Sequence, residues 1–292
     1  MNESRMVVFG GTGFLGARIV RVALLAGYRV RIVARHPGTL PVSSPRVEYQ
    51  TANLVEPATV DAALNGADAV VNAVSLYVEK PPALTFESVH VAGAALLARR
   101  CRDRDIPRLI HLSGLNPDPA SRSRYVSARG RGEEAVRDAC PDATILRPGA
   151  LFGDGQGLLA TLAGLTRLPV IPLFGHGDTR LQPVHVDDVA RAALNALDDP
   201  ATRGRVYELG GADTLSYRGL LEAVMRGQKR RRPLLPVPFG LWFIGAALLS
   251  ILESPPLTRD QLILMETDNV VGQGAAGFAD LGIEPRGIDH GR

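Results

Sequence analysis

Residues 6–16, Met-Val-Val-Phe-Gly-Gly-Thr-Gly-Phe-Leu-Gly, constrain this chain more than any other stretch. A short apolar run meets glycines at Gly10, Gly13 and Gly16, and the helical spacing Leu15, Ile19, Val22, Ala23 follows at once. Strand, tight turn and helix in that order aim free backbone N–H groups and the positive end of a helix at a pyrophosphate. Gly10 permits the sharp turn, Gly13 the close approach of phosphate, and Gly16 the packing of the helix against the strand. A dinucleotide is therefore expected along Gly10, Gly11, Thr12, Gly13, Phe14, Leu15 and Gly16.

Composition fits a soluble protein of enzyme size. The 292 residues are 46% hydrophobic and 22% charged, enough to bury a large core in one unit with a smaller lobe, or in two. A net charge of +3 gives no reason to expect nucleic acid. Cys101 and Cys140 form neither a disulfide framework nor a metal-binding pair, which favours a reducing compartment. The six histidines, at 36, 90, 111, 176, 185 and 290, also lack ligand spacing, so no metal is expected. The first strand begins so early that no separate apolar segment of a secretory signal is expected before it.

Up to about residue 150 the chain reads as repeated strand–helix units. Arg29–Ala34 is a β-branched run after Gly27, a suitable residue to end the first helix. Val47–Gln50 and Ala69–Ala73 read as strands, with a short helix Pro57–Leu64 between them. A long helix is expected over Phe86–Arg104, a strand over Arg108–Ser113, a helix over Ser123–Cys140 and a strand over Ala143–Arg147. Such alternation means a parallel sheet with helices on both faces. After Pro148 the elements shorten between Pro- and Gly-rich connections. A helix over Asp187–Leu197 and a strand over Arg205–Leu209 still stand out, and the tail after Val271 reads as irregular.

With its G-x-x-G-x-x-G turn the chain resembles the short-chain dehydrogenase/reductase superfamily, in its extended or atypical branch. The resemblance is carried further by Arg147-Pro-Gly-Ala-Leu-Phe-Gly153, Pro183-Val-His-Val-Asp-Asp-Val-Ala190 and Tyr207-Glu-Leu-Gly-Gly211. It implies a Rossmann-type doubly wound α/β fold with a smaller, interleaved C-terminal lobe. Residues 1–150 would form the nucleotide-binding part, pieces near 183–210 would return to it, and 151–292 would supply the lobe. The same resemblance extends the cofactor surface to Ala73, Val74 and Pro148.

A carboxylate at the end of the second strand would bind the adenosine ribose and repel a 2′-phosphate. Here Ala34-Arg35-His36 stands instead, and the Arg35 guanidinium suits a phosphate. NADP(H) is therefore favoured, with NAD(H) left open. Asn53-Leu54 occupies the place of an Asp-Leu pair in related reductases, near the adenine, where the Asn53 amide could reach the base edge. Superfamily chemistry uses a serine at a strand end and a Tyr-x-x-x-Lys pair, the lysine binding ribose and lowering the tyrosine pKa. Ser113 is in place, Tyr125 follows twelve residues later, and its i+4 partner is Arg129. Arginine keeps the charge but not the compact ammonium. Cofactor binding is expected through Tyr125 and Arg129; turnover through Ser113, Tyr125 and Arg129 is in doubt.

Lys229-Arg-Arg-Arg232 precedes twenty uncharged residues, Pro233 to Leu252. Prolines 233, 236 and 238 break the first part. The helical remainder, Phe239–Leu252, spans roughly 21 Å, short of a ~30 Å hydrocarbon core. Two readings stay open: a buried helix of the lobe, or a peripheral membrane contact with the basic run against anionic headgroups. His185 reads as a structural residue of the turn into the Asp187 helix. Within the superfamily the chain most resembles the atypical group of the respiratory complex I alpha-subcomplex subunit 9 and its bacterial relatives. Val8–Gly16, His111-Leu-Ser-Gly-Leu115, Gly175–Val184 and Leu257–Leu262 carry that likeness. It implies tightly held NADPH, weak or no turnover, and quinone-linked respiratory or ubiquinone-biosynthetic partners; together with the basic and apolar run it gives the expectation of a cytoplasmic protein that could rest on the inner face of the cytoplasmic membrane. The alternative is an active soluble NAD(P)-dependent reductase or epimerase of a small carbonyl or sugar-nucleotide substrate.

Overall fold

The structure is a computed structural model that describes residues 4–38, 44–249 and 257–291. In the first half β1 (Arg5–Phe9), α1 (Phe14–Leu25), β2 (Arg29–Ala34), β3 (Val47–Thr51), α2 (Pro57–Ala63) and β4 (Ala69–Asn72) follow in order. Then come α3 (Ala94–Asp103), β5 (Leu109–Leu112), α4 (Arg124–Ala139) and β6 (Thr144–Pro148). The second half adds β7 (Leu151–Gly153), α5 (Gly157–Leu165), β8 (Ile171–Phe174), β9 (Arg180–Leu181), β10 (Val184–His185) and α6 (Val186–Asp198). It continues with β11 (Val206–Leu209), β12 (Leu215–Ser216), α7 (Tyr217–Gly227), β13 (Leu234–Val237), α8 (Phe239–Leu249) and α9 (Arg259–Leu264).

The main sheet runs β11-β6-β5-β4-β1-β2-β3, and every adjacent pair in it is parallel. Parallel neighbours need crossovers, and helices on both faces of the sheet supply them. This is a Rossmann-type doubly wound fold. Strand order reverses between β1 and β4, the place where such sheets leave a crevice beyond the strand ends. Burial on both faces explains why the strands read as apolar runs. Met6 and Val8 face Ile19 and Ala23 of α1 and Val189 and Ala193 of α6. Val7 and Phe9 face Leu97 of α3 and Val136 of α4. A third cluster, with Phe152, Leu162, Ile171, Leu173, Tyr217 and Leu220, holds the remaining pieces together.

Three segments depart from their sequence readings. Only Ala94–Asp103 of the expected Phe86–Arg104 helix is α-helical, and Glu87–Gly93 is wound as a π-helix. There Ser88 and Thr85 each accept the other's backbone N–H, and the buried His90 ring turns towards the Leu76 backbone. Side-chain bonds of this kind, invisible to hydrophobic periodicity, fix a wider turn. The Pro-rich Leu234–Val237 is a strand paired in parallel with β8, not an unstructured break. Pro236 is tolerated because β13 is an edge strand. Phe278, Leu281 and Ile283 of the tail pack into the first core cluster, with a short 3-10 turn at Ala279–Leu281. Residues 250–252, the end of the expected Phe239–Leu252 helix, lie outside the described residues. No described helix is long and apolar enough to cross a membrane.

At the start of α6, His185 is the N-cap, its Nδ1 accepting the Asp187 N–H at 3.2 Å. The fully buried Asp188 carboxylate accepts the Arg286 backbone N–H at 2.7 Å, the Arg286 Nε–H at 2.8 Å and an Arg191 N–H at 2.7 Å. Burial alone would raise this carboxyl, but those hydrogen bonds and the Arg286 charge outweigh it and hold it below the usual range. Asp188→Ala is expected to remove about 3 kcal/mol of stability, because it undoes a buried charged network and orphans a backbone N–H. The contribution should be complete above the unfolded carboxyl value of ~3.9 and disappear as pH falls through the lower folded value. Urea unfolding of both proteins as a function of pH measures the difference.

Candidate functional site

The N-terminus of α1 is laid bare by its turn. Gly10 holds a left-handed φ of +75°, and a Cβ there would stand 2.8 Å from the Ala73 carbonyl oxygen and 3.0 Å from the Val74 nitrogen. Ala73 and Val74 thus wall the turn from the β4 side. A Cβ on Gly16 would collide with the Gly10 carbonyl oxygen, so the helix lies against the turn itself as well as the strand. Gly13 is the N-cap and is exposed. No side chain caps the helix and no acidic residue stands in its first turn. The N–H groups of Phe14, Leu15 and Gly16 have no acceptor within an α-helix at these positions. Gly11 is buried behind them and Thr12 half-buried beside them. This cradle fits a pyrophosphate on both counts, unclaimed donors and a floor with no side chain.

The adenosine end is less uniform. Arg35 is exposed just past β2, and among the described residues no hydrogen bond or ion pair engages it. The Asn53 amide is occupied: its Nδ2 donates to Glu56 Oε1 at 2.9 Å and its Oδ1 accepts the Val55 N–H at 3.4 Å. It shapes the entry to α2, so a bond from it to a base edge would require giving these up. The Leu54 side chain is buried in the core, leaving only its backbone for a ligand.

Arg129 of α4 reaches the end of β5, where it bonds the Leu112 carbonyl beside Ser113, and its charge bears on Tyr125. Ser113 shares the strand face of His111, its N–H donates to the Leu146 carbonyl at 2.8 Å, and its buried Oγ has no hydrogen-bond partner among the described residues. An unpaired buried hydroxyl is expensive and points to a ligand atom that completes it. Pro148, at the end of β6, accepts the Leu115 N–H at 3.1 Å and closes the floor beside it. Ser123 caps α4, accepting the Val126 N–H, and its hydroxyl donates to Asp260 of α9 at 2.8 Å. Asp260 also accepts the Tyr125 N–H at 3.3 Å, which pins the first turn of α4.

The Tyr125 ring stacks on Tyr77 at 5.6 Å and meets Phe86 and His90 edge-on at 5.6 and 5.7 Å. Burial is the largest influence on its phenol and pushes it up to about 12, although the Arg129 charge pulls the other way. The hydroxyl therefore stays protonated through the physiological range. Arg129 is buried, which excludes a solvated helix face. Its Nη2 donates to the Leu112 carbonyl at 3.0 Å, its Nη1 lies 3.5 Å from His90 Nδ1, and its Nε has no partner among the described residues. The guanidinium is thus tied to the backbone through Nη2.

Two histidines that sequence spacing passed over complete the setting. Burial and the Arg129 charge push His90 down to about 4. Burial, Arg129 and His90 push His111 down to about 3, and its Nδ1 lies 3.1 Å from Asn72 Nδ2. Both rings are neutral, and Arg129 is the permanent cation among them. His111 could have been found as the residue two before Ser113 on one strand face. His90, Tyr77 and Phe86 arrive from a π-turn and a loop that no local pattern connects to Tyr125. No described group of side chains has the makings of a metal site.

The NAD dependent epimerase/dehydratase family model matches residues 6–210. The mitochondrial 40 kDa subunit of NADH-ubiquinone oxidoreductase from Neurospora crassa is 32% identical over 289 residues, covering 96% of this chain and 76% of that protein. A ceramide reductase from Caulobacter vibrioides is 32% identical over 187 residues, covering 63% of this chain and 58% of that protein. The crystal structure of gox2253 has the same fold, with a TM-score of 0.75 at 22% identity, covering 99% of this chain and 96% of that one.

The electrostatic arrangement can be checked directly. Arg129→Met keeps much of the bulk and removes the cation, so the His90 value should rise from about 4 while staying below the ordinary ~6.5, because burial remains. Imidazole titration by NMR reads the change, and an unmoved His90 would mean that burial acts alone.

Proposed function

The chain belongs to the NAD dependent epimerase/dehydratase family, and we propose that within it this protein is a tight NADP(H) holder with weak or no turnover. Its role would lie in quinone-linked respiration or ubiquinone biosynthesis, beside a respiratory complex or quinone-pathway proteins at the cytoplasmic membrane face. The observation that carries the reading is the pair Tyr125–Arg129. A phenol held at about 12 beside a guanidinium already bonded to the Leu112 carbonyl can donate a hydrogen bond but does not readily pass a proton. The likeness to the Neurospora crassa subunit supports the respiratory side of the proposal.

The chain's own residues divide the work. Residues 1–150, with the pieces near 183–210, would form the nucleotide-binding part, and the rest of 151–292 the lobe. The turn at Gly10–Gly16 supplies backbone donors for the pyrophosphate, Ala73, Val74 and Pro148 shape the floor, and Arg35 takes the 2′-phosphate that NADP(H) carries. A bound nicotinamide would supply hydride chemistry. Ser113 Oγ and the Tyr125 hydroxyl would then orient the oxygen of whatever carbonyl sits beside it. A second reading, an active reductase or epimerase of a carbonyl or sugar-nucleotide substrate, is favoured by the unpartnered Ser113 hydroxyl and by the likeness to a ceramide reductase.

Purified protein, denatured and scanned for released nucleotide, separates the two readings. Stoichiometric NADPH together with no turnover of carbonyl substrates supports the first. A readily exchanging site with turnover that Tyr125→Phe destroys supports the second. Gly13→Val should abolish nucleotide retention by filling the cradle, and unchanged retention would remove the cofactor assignment. Arg35→Asp should reverse the preference for NADPH over NADH by at least tenfold, since it removes attraction and adds repulsion. Arg129→Lys, restoring the compact ammonium, should raise any carbonyl-reductase activity at least tenfold if one group is all the dyad lacks.

A further inference from the structure

The helix α8 is apolar on every side, Phe-Gly-Leu-Trp-Phe-Ile-Gly-Ala-Ala-Leu-Leu, and a helix of that composition ordinarily lies inside a core. Here only Ala246 is buried. One side is anchored: Trp242 packs on Phe174 at 4.7 Å, and its Nε1 donates to the Leu173 carbonyl at 2.9 Å. On the other side Leu241, Ile244 and Leu248, spaced i, i+3, i+7, are 59%, 61% and 69% exposed. A Cβ built on Gly240 or Gly245 would meet nothing. Of the two readings left open for this segment, a fully buried lobe helix does not match the exposure of the described residues 239–249.

The stretch that leads into the helix carries the matching charge. Lys229, Arg230, Arg231 and Arg232 are exposed, and no carboxylate among the described residues pairs with them. Arg230 and Arg232 reach the Thr166 hydroxyl and carbonyl, which draws the run against the end of α5 beside the exposed Arg167, Leu168 and Val170. Exposed Leu235 of the edge strand β13 lies between that basic end and α8. Cations flanked by unpartnered leucine, isoleucine and valine match a bilayer interface, with anionic headgroups for the charges and acyl chains for the apolar side.

We propose that α8 and the Lys229–Arg232 run dock this protein on an anionic bilayer surface. The proposal deepens the membrane-face placement above and rests on it. α8 packs on α9, and Asp260 of α9 holds both Ser123 and the Tyr125 N–H. The docking face is therefore linked through a single short helix to the turn that presents Tyr125.

Flotation of the full chain with phosphatidylcholine vesicles, with and without phosphatidylglycerol, tests the docking, with nucleotide content measured in the same fractions. Binding to the anionic vesicles is expected, at least about tenfold weaker on neutral ones and weakened by salt. The double variant Ile244→Ser with Leu248→Ser, both at exposed positions, should lower binding at least about tenfold while circular dichroism and bound nucleotide stay unchanged. Arg230→Gln with Arg231→Gln should weaken binding and flatten its salt dependence. Failure of the wild type to bind anionic vesicles overturns the proposal, and a dimer in light scattering would then assign the face to a second copy. Binding that survives the α8 variant overturns it equally. If vesicle binding fails while NADPH is retained, only the docking falls; if docking holds with no nucleotide, the NADP(H) reading falls instead.

Discussion

The carbonyl oxygen of Gly10 stands where any side chain on Gly16 would have to be, and Gly10 itself is pressed against the Ala73 carbonyl. This close packing of β1, α1 and the end of β4 leaves the first turn of α1 uncapped and open at the strand-order reversal. Two parallel neighbours, β2 and β4, flank β1 there, and the crossovers of the sheet open the crevice just beyond their ends. The contact is made by backbone on both sides, so its geometry is fixed without depending on a rotamer. Ser113, at the end of β5, and the wall at Ala73 and Val74 take their positions from the same sheet.

A second constraint is the burial of Arg129. A guanidinium cannot shed its proton as a lysine can, so burying it requires acceptors. The Leu112 carbonyl supplies one, and two histidines remain neutral beside it. The neutrality follows first from burial and then from the same charge, since a protonated ring next to Arg129 would be repelled. The cation in turn draws the Tyr125 phenol down, but burial under Tyr77 and Phe86 prevails. The pocket is thus organised around one fixed positive charge, and its proton-accepting groups are set far from neutrality on either side.

The second half of the chain is stitched into the first by charge and shape. Asp188 takes Arg286 from the tail, Arg147 bridges Glu133 of α4 and Glu208 of β11, and Asp260 of α9 grips the cap of α4. Those links carry the lobe's position to the helix that presents Tyr125. The exposed apolar side of α8 is joined to the same helix through its packing on α9.

Much of this was determined by local sequence. The glycine turn, the alternation of strand and helix and the runs that become β1, β2, β4 and β5 depend on periodicity and glycine placement, which act over a few residues. So does the face shared by Tyr125 and Arg129, set four apart on α4. Tertiary structure alone decided that Arg129 is buried and bonded to Leu112, that His90 and His111 are neutral beside it, and that the Asn53 amide is occupied by Glu56. It also decided that Leu234–Val237 becomes a strand despite its proline, because β8 offers an edge, and that α8 lies outside the core. The physical reason is common to these cases. Burial and desolvation depend on which distant segments arrive at a site, and neither the spacing of residues nor their propensity records that arrival.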